Sequence, residues 1–407
     1  MINIITLKNS MFKFRRLILI VSVIALSSVC YIFFSSYQDK KVEGVTTQAV
    51  IEPIVEPIKP VLPDKVSLRL LNVGEVFWGR YINDWSNKSE LKEAYPFSAL
   101  NTLDKTKYDA WISDIECPIT DAEIDSVTQE DTLSFNCNSR YTKEYAKWFE
   151  IATLANNHTD NMEMYNGQRF NGFQKTKDIL KLNNIQSFGH YDNKLDSICN
   201  VVKVKSKSFD YSLPIAMCGF HNVFALPTEE QVSVIKKYSK YLPTFVYPHQ
   251  GKEYQFQADE LQQSFARQYI DNGADAVLGT HVHVVQNTEV YNKKLIVYSM
   301  GNFMFDQQTA NTSQAFGVDM TLDFTKNEGL SKLATIAKDC NSYTSDCYDR
   351  IVKANQPKPI FTLKYDQVVT DNSNRLVKKA DQAVTVIVQQ RTNWLQTMKE
   401  LGMNMSN

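Results

Sequence analysis

This 407-residue chain has little of several things, and each shortage excludes something. It has almost no net charge, with 44 Lys and Arg against 45 Asp and Glu, so no global field draws it to nucleic acid or to a polyanion. Any anion binding must be local. Its seven cysteines include no Cys-x-x-Cys pair, which argues against a zinc knuckle or a thioredoxin-like site. Internal repeats are absent. Histidine is scarce, at six residues, so the placement of each carries weight. What is present is an ordinary 43% of hydrophobic residues, enough for one large domain or two smaller ones.

The N-terminal region differs from the rest. Lys8, Lys13, Arg15 and Arg16 precede an uncharged run from Leu17 to Phe34. At ~1.5 Å per helical residue this run reaches about 27 Å, just enough for a bilayer core. The basic cluster before it places the N-terminus in the cytoplasm and the remainder outside. The organisation expected is a cytoplasmic 1–16, a transmembrane anchor over 17–36, and a Pro-rich stalk over 37–65 that cannot build a core. A cleaved signal peptide and a lipoprotein signal ending at Cys30 are the rival readings; Val29 directly before Cys30 and the length of the run favour an uncleaved anchor.

Outside the anchor lie Cys117, Cys137, Cys199, Cys218, Cys340 and Cys347. An even number in an extracytoplasmic domain permits disulfides, and pairing neighbours in sequence is the simplest connectivity. Buried free thiols are the alternative.

From residue 66 the text alternates between strand and helix. Strands are expected at 66–74, 108–116, 149–158, 185–189, 245–249 and 274–283, with helices over 168–184 and 258–273. A hairpin turning at Asn292, Lys293 and Lys294 follows, then strand-like text and a last helix from about Lys379 to Leu401. This is the pattern of a layered α/β fold, with a main domain over 66–325 and a C-terminal extension over 326–407 packing on it.

Four of the six histidines, His158, His249, His281 and His283, stand at or just after predicted strand ends, where α/β proteins place their sites. His281 and His283 are two apart, so on a strand they would point the same way. Asn156 and Asn157 precede His158, while Glu75, Asp114 and Glu116 put carboxylates at two other strand ends. Imidazole suits zinc or iron, and carboxylate and amide oxygens suit harder ions such as manganese. Any one of these residues alone is as readily a capped turn or a structural histidine.

Six segments, VGEVFWGR (73–80), SDIECPIT (113–120), LANNHTDN (154–161), PHQGKEY (248–254), GADAVLGTHVHVVQ (273–286) and YSMGNFMFDQ (298–307), occur in an order and spacing that resembles the poly-γ-glutamate synthesis CapA family. With anchor and stalk the resemblance covers roughly residues 10–310. It implies an α/β, four-layer α/β/β/α sandwich of metallophosphoesterase type behind one transmembrane helix. In that wider superfamily, strand-end Asp, Asn and His residues hold paired metals. Carried over by position, Glu75, Glu116, Asn157, His249, His281 and His283 are the candidate ligands, one or two ions of Mn, Fe or Zn the candidate cofactor, and Glu116 the candidate bridging acid. His158 and Glu116 stand as catalytic candidates, His158 as the general acid, and Arg80, Asn156 and Asn302 as substrate-binding candidates. The sequence departs from the pattern in having Phe77 where phosphoesterases have His, and Glu75, Asp114 and Gln250 where such capsule proteins have Asp, Asn and Trp.

Three functions follow from the resemblance: a membrane-anchored component that makes or exports an anionic capsular polymer beside membrane subunits, a metal-dependent hydrolase, or a scaffold on an old enzyme fold. Partners are then those subunits and a polymer such as poly-γ-glutamate, not nucleic acid.

Overall fold

The computed structural model describes residues 61–160 and 171–403. The expected anchor, and all of the stalk before residue 61, lie outside the described residues. Among the described residues no helix is long and apolar enough to cross a membrane.

Sixteen strands are described. The first eight are β1 (Val66–Val76), β2 (Ala110–Ile115), β3 (Ile119–Thr120), β4 (Cys137–Asn138), β5 (Ile151–Thr153), β6 (Gln186–Phe188), β7 (Cys199–Lys205) and β8 (Ser212–His221). After them come β9 (Thr244–His249), β10 (Ala276–Leu278), β11 (Thr288–Tyr291), β12 (Lys294–Val297), β13 (Asn302–Met304), β14 (Gln314–Phe324), β15 (Phe361–Asp371) and β16 (Lys378–Lys379). They form two mixed sheets, in the orders β16-β15-β14-β1-β2-β5-β6, with β13 also on β1, and β11-β12-β10-β9-β8-β7; β3 and β4 pair separately.

Side-chain alternation explains how the sheets meet. Leu68 and Leu70 of β1, and Ala110 and Ile112 of β2, share one buried cluster with Phe245 and Tyr247 of β9 and Leu295 and Val297 of β12. The intervening residues Leu71, Val73 and Trp111 point to the opposite face, where Ile82, Phe173 and Leu180 from the helices Arg80–Lys88 and Gly172–Leu182 cover them. On the second sheet Val246, Val277 and Ile296 likewise meet the helices Glu229–Ser239 and Glu260–Asp271. A period of two thus gives each strand two apolar faces, one against the other sheet and one against helices.

These two helices begin with capping boxes, Thr228 with Gln231 and Asp259 with Gln262. Each box satisfies two otherwise orphaned donors.

The C-terminal quarter is built into this arrangement. β15 runs antiparallel to β14 along the whole of both strands, and Val388, Trp394 and Met398 join the cluster between the sheets. Leu62, near the end of the expected stalk, is buried there too.

Several local expectations need correction. The run 274–283 is a strand only over Ala276–Leu278; His281 and His283 lie beyond it with φ of 95° and 62°. They are not same-face strand neighbours. The last helix is two, Gln382–Thr392 and Trp394–Glu400, because Asn393 adopts the left-handed conformation at φ 55° and interrupts the helical hydrogen bonding. The hairpin is confined to β11 and β12, with Asn292 and Lys293 both at positive φ, the conformation of a two-residue turn. The chain then leaves that sheet, and Asn302–Met304 joins β1 instead.

All six cysteines beyond the expected anchor pair as sequence neighbours: Cys117 with Cys137, Cys199 with Cys218, and Cys340 with Cys347.

Candidate metal centre

β1, β2 and β5 are parallel neighbours, as are β9, β10 and β12, so their C-terminal ends deliver polar residues to one place. Glu75 lies near the end of β1 at a bulge and is in register with Asp114 of β2 and Asn302 of β13. Gly74 permits this closeness: a Cβ there would collide with the carbonyl oxygen of Gly301, next to Asn302. Glu116 follows β2, Asn156 to His158 follow β5, His249 ends β9, and His281 and His283 follow β10.

Glu75, Asp114 and Glu116 are completely buried, and His249, His281 and His283 nearly so. Ligand atoms of Glu116, His249 and His281 lie within 4.8 Å of one another, and so do those of Glu75, Glu116 and His283. The two sets share Glu116. Its two carboxylate oxygens and Oε2 of Glu75 have no hydrogen-bond partner among the described residues. Buried carboxylates with orphaned oxygens are costly unless something positive meets them.

Among the described residues no free cation meets them, since the nearby guanidinium of Arg80 is clamped by Asp306 at 2.9 and 2.5 Å. Burial, reinforced by Asp114, pushes the Glu75 carboxyl up to about 8. Burial pushes Asp114 up to about 7. Glu116 is raised well above its ordinary range by burial and by Glu75 and Asp114. The imidazoles shift the other way. Burial lowers His283 to about 4 and holds His249 and His281 well below the usual range. Neutral imidazoles converging on carboxylates are the donor set that a divalent ion takes, and these residues fit one.

Neighbouring groups fix the ligands. His249 Nδ1 lies 2.8 Å from Asp114 Oδ2, which also accepts from Thr280 at 2.7 Å. The Nδ1 proton is therefore held by Asp114, and Nε2 faces Asn157 Oδ1 at 2.7 Å and His281 Nδ1 at 3.1 Å. A carboxylate behind an imidazole is the usual support for a metal-binding histidine. His283 is oriented in the same way by Asn302 Oδ1 at 2.9 Å, and the His281 main-chain N–H donates to Glu75. Positive φ at both His281 and His283 is a conformation that only a well-determined surrounding retains.

The candidate substrate-binding residues make these contacts within the protein. Asn156 is fully buried and spends its amide on Asp114 at 2.8 Å and the Ile115 carbonyl at 2.7 Å, while its oxygen accepts from the main chain of His158 and Thr159. It holds the loop. Asn302 is likewise buried, between His283 and Gln307. Arg80 is buried over the Phe135 ring at 4.5 Å while paired with Asp306.

His158 stacks on Phe135 with ring centroids 4.0 Å apart and brings Nε2 to 3.9 Å from Glu116. Burial and the other imidazoles hold it down to about 3, so at neutral pH it is an uncharged imidazole rather than a charged acid. Phe77 is packed between Phe135 and Phe305. The half of the cluster with Glu75 has one imidazole, His283; the other has His249 and His281.

Sequence reasoning gave Asp114 no place among the site residues, although it was visible as an acid near a strand end. It also passed over Thr280, a neutral residue in the GTHVH segment, and His221, the end residue of β8.

The family model for the bacterial capsule synthesis protein PGA_cap matches residues 69–307, which include every residue of the cluster. The chain is 27% identical to the capsule biosynthesis protein CapA of Bacillus anthracis over 64% of this chain and 65% of that protein. A shorter match to the PGA biosynthesis protein CapA of Bacillus subtilis (strain 168) is 45% identical over 16% of this chain and 18% of the relative. The matches thus span less than two thirds of either relative's length. A crystal structure of a hypothetical protein from Thermus thermophilus superposes with a TM-score of 0.35 at 12% identity, over 74% of this chain and 99% of that one. On the family match, which takes in well over half of its residues, the chain belongs to the bacterial capsule synthesis protein PGA_cap family.

Proposed function

We propose that this protein is a membrane-anchored component of capsular poly-γ-glutamate synthesis or export, with its globular part outside the cytoplasm and a divalent-metal centre of Mn, Fe or Zn at the convergence of its strand ends. The observation that carries the metal centre is Glu116, shared by both ligand sets and left without partners for either oxygen. The capsule role is supported by the family and by relatives named for capsule or PGA biosynthesis. The basic residues before the apolar run and the three disulfides support an outward-facing domain. The succession of helices, sheet, sheet and helices fits a four-layer sandwich of metallophosphoesterase type.

A hydrolytic role is favoured over a passive scaffold by the shared carboxylate and the Asp114–His249 support, which a scaffold has no need to retain. A divalent ion, when bound, polarises a phosphoryl or acyl oxygen and acidifies water. Glu116 would span the two halves of the cluster, with Glu75 and His283 on one side and Asn157, His249 and His281 on the other. Asp114 keeps the proton on His249 Nδ1 and so holds Nε2 free as a ligand. His158, uncharged and beside Glu116, is placed to take a proton at Nε2. The buried aromatic wall of Phe77, Phe135 and Phe305 excludes water from one side.

The test is complementation of a strain lacking the gene, read as surface glutamate polymer. Wild type should restore it, and Glu116→Ala and His281→Ala should not, although both accumulate in the membrane fraction. Polymer that is unchanged by deletion rules out the capsule role. Full rescue by both variants rules out the metal centre.

A further inference from the structure

At the opposite end of the same strands from the metal cluster lies a second cavity, of about 480 Å³, a size that suits a small ligand. Asp275, in its lining, stands just before β10, whereas His281 and His283 follow that strand. Both sheets contribute. Asp275 and Lys294 come from the second sheet, and the segment from Lys358 to Tyr365 leads into β15 of the first.

The charge of the lining is unbalanced, with three lysines against one aspartate. Lys358 Nζ donates to Asp275 Oδ2 at 2.6 Å, and Lys294 Nζ lies 3.6 Å from Oδ1 of the same carboxylate, which also accepts from the Thr244 N–H at 2.8 Å. Lys293 is exposed and has no ion pair among the described residues; Asp271, across its turn, is held by Tyr291 and Asn292. An ammonium has three donors. Lys358 spends one on Asp275, and Lys294 one on the Ala274 carbonyl at 2.5 Å. Neither is sealed in, since their side chains are 25% and 31% exposed. Burial holds Lys358 below its ordinary range even with Asp275 beside it. The Tyr365 hydroxyl, also in the lining, makes no hydrogen bond among the described residues. The unspent capacity is therefore donor capacity on a positive background.

The remaining lining is largely apolar. Phe361, Leu363, Leu401 and Met403 continue into the cluster between the sheets, and Ile360 is 66% exposed beside them. One anionic head can use the ammonium groups while hydrocarbon covers this surface. A polyanion fits poorly, because every repeat would bring a further carboxylate against apolar side chains.

We propose that this cavity binds an anionic amphiphile, with its carboxylate or phosphate head at Lys294, Lys358 and Tyr365 and its aliphatic chain along Ile360, Phe361 and Leu363. This ligand is independent of the metal centre and of the capsule role.

Equilibrium dialysis tests this on the full-length protein held in phosphatidylcholine nanodiscs, in chelator, with binding to empty discs subtracted. The probes are octanoate, n-octanol, propionate and a γ-linked glutamate tripeptide. Octanoate should bind at least about tenfold more tightly than octanol, which lacks the charge, and than propionate, which lacks the chain. Lys358→Gln should weaken octanoate about tenfold or more with little change in melting temperature, because Asp275 keeps Lys294 and the Thr244 N–H. Ile360→Asn, at an exposed position, should weaken octanoate and leave propionate unchanged. Octanoate that binds no more tightly than octanol or propionate, or that ignores Lys358→Gln, overturns the assignment. So does a tripeptide that binds more tightly than octanoate in a Lys358-dependent way, which would make the cavity a polymer site. Adding phosphatidylglycerol to the discs separates two sources of the same chemistry: displacement of octanoate identifies a lipid, and its persistence a free acid.

Discussion

Replacing Glu116 with Gln separates two effects that a metal centre combines. Without metal, Glu116 is a buried carboxylate with both oxygens unpartnered, facing Glu75 and Asp114. The amide has nearly the same shape and removes the like charge, but its own N–H groups also lack partners, which limits the gain. At pH 8, where the wild-type carboxylates are forced toward ionisation, the variant should gain about 1–2 kcal/mol, and so melt roughly 2–4 °C higher. With metal the order reverses. At a metal concentration about 100 times its dissociation constant, the wild type gains about 2.7 kcal/mol. Glu116 is the only residue common to both ligand sets, so its loss should weaken binding at least about a hundredfold. At the same metal concentration that leaves the variant about 0.4 kcal/mol or less. Differential scanning calorimetry at pH 8, with chelator and then with Mn or Zn, reads both quantities. A variant that melts below wild type in chelator, or that keeps the full metal-induced rise, refutes this account of the cluster.

Metal-free stability should fall between pH 6.5 and 8. Folding raises Glu75 and Asp114 to about 8 and about 7 from ordinary values of 4.5 and 3.8, so their favourable contribution is complete below the unfolded values and disappears as pH climbs through the folded ones. The lowered histidines act in the opposite sense, but only below their unfolded value of 6.5. Melting scans across this window should therefore slope down in chelator and flatten with metal; a flat chelator curve counts against the assignment. Asp114→Ala should weaken metal binding about 10–100-fold by releasing His249, whereas Asp114→Asn, which can still accept the Nδ1 proton, should cost much less. Equal losses from the two would mean that Asp114 does not orient the ring. Arg80→Ala should destabilise by about 3–5 kcal/mol because it strands Asp306 in the interior, and Asp306→Ala in the same chain should recover part of that. Chemical denaturation measures both, and an Arg80→Ala protein of native stability would return Arg80 to the role of a substrate ligand.

Much of the fold was legible because burial on both faces leaves a plain record. The strands 66–74, 108–116 and 245–249 are apolar runs that turn polar at one end, and β1, β2 and β9 lie there. Boundaries set by a single backbone conformation were not legible. Nothing in GTHVH announces that the strand stops at Leu278 and that both histidines take positive φ, because that state is imposed by Glu75 and Asn302 from other strands. The break at Asn393 was hidden for a similar reason, since Asn is neither a strong helix former nor a strong breaker and its left-handed conformation is a matter of backbone geometry.

By itself the sequence determined the family, the positions of the acidic residues and histidines at strand ends, and the neighbour pairing as the simplest disulfide scheme, because residue type and spacing carry that information directly. Only the tertiary structure decided which of those residues support others. Whether a buried polar side chain is a ligand or a brace depends on which of its atoms remain unpartnered, and that is a property of what packs around it. Asn156 and Arg80 are satisfied by the protein, and Glu116 is not. Asp114, His249 and Thr280 are far apart in the chain and become a single unit only where two sheets bring their strand ends together.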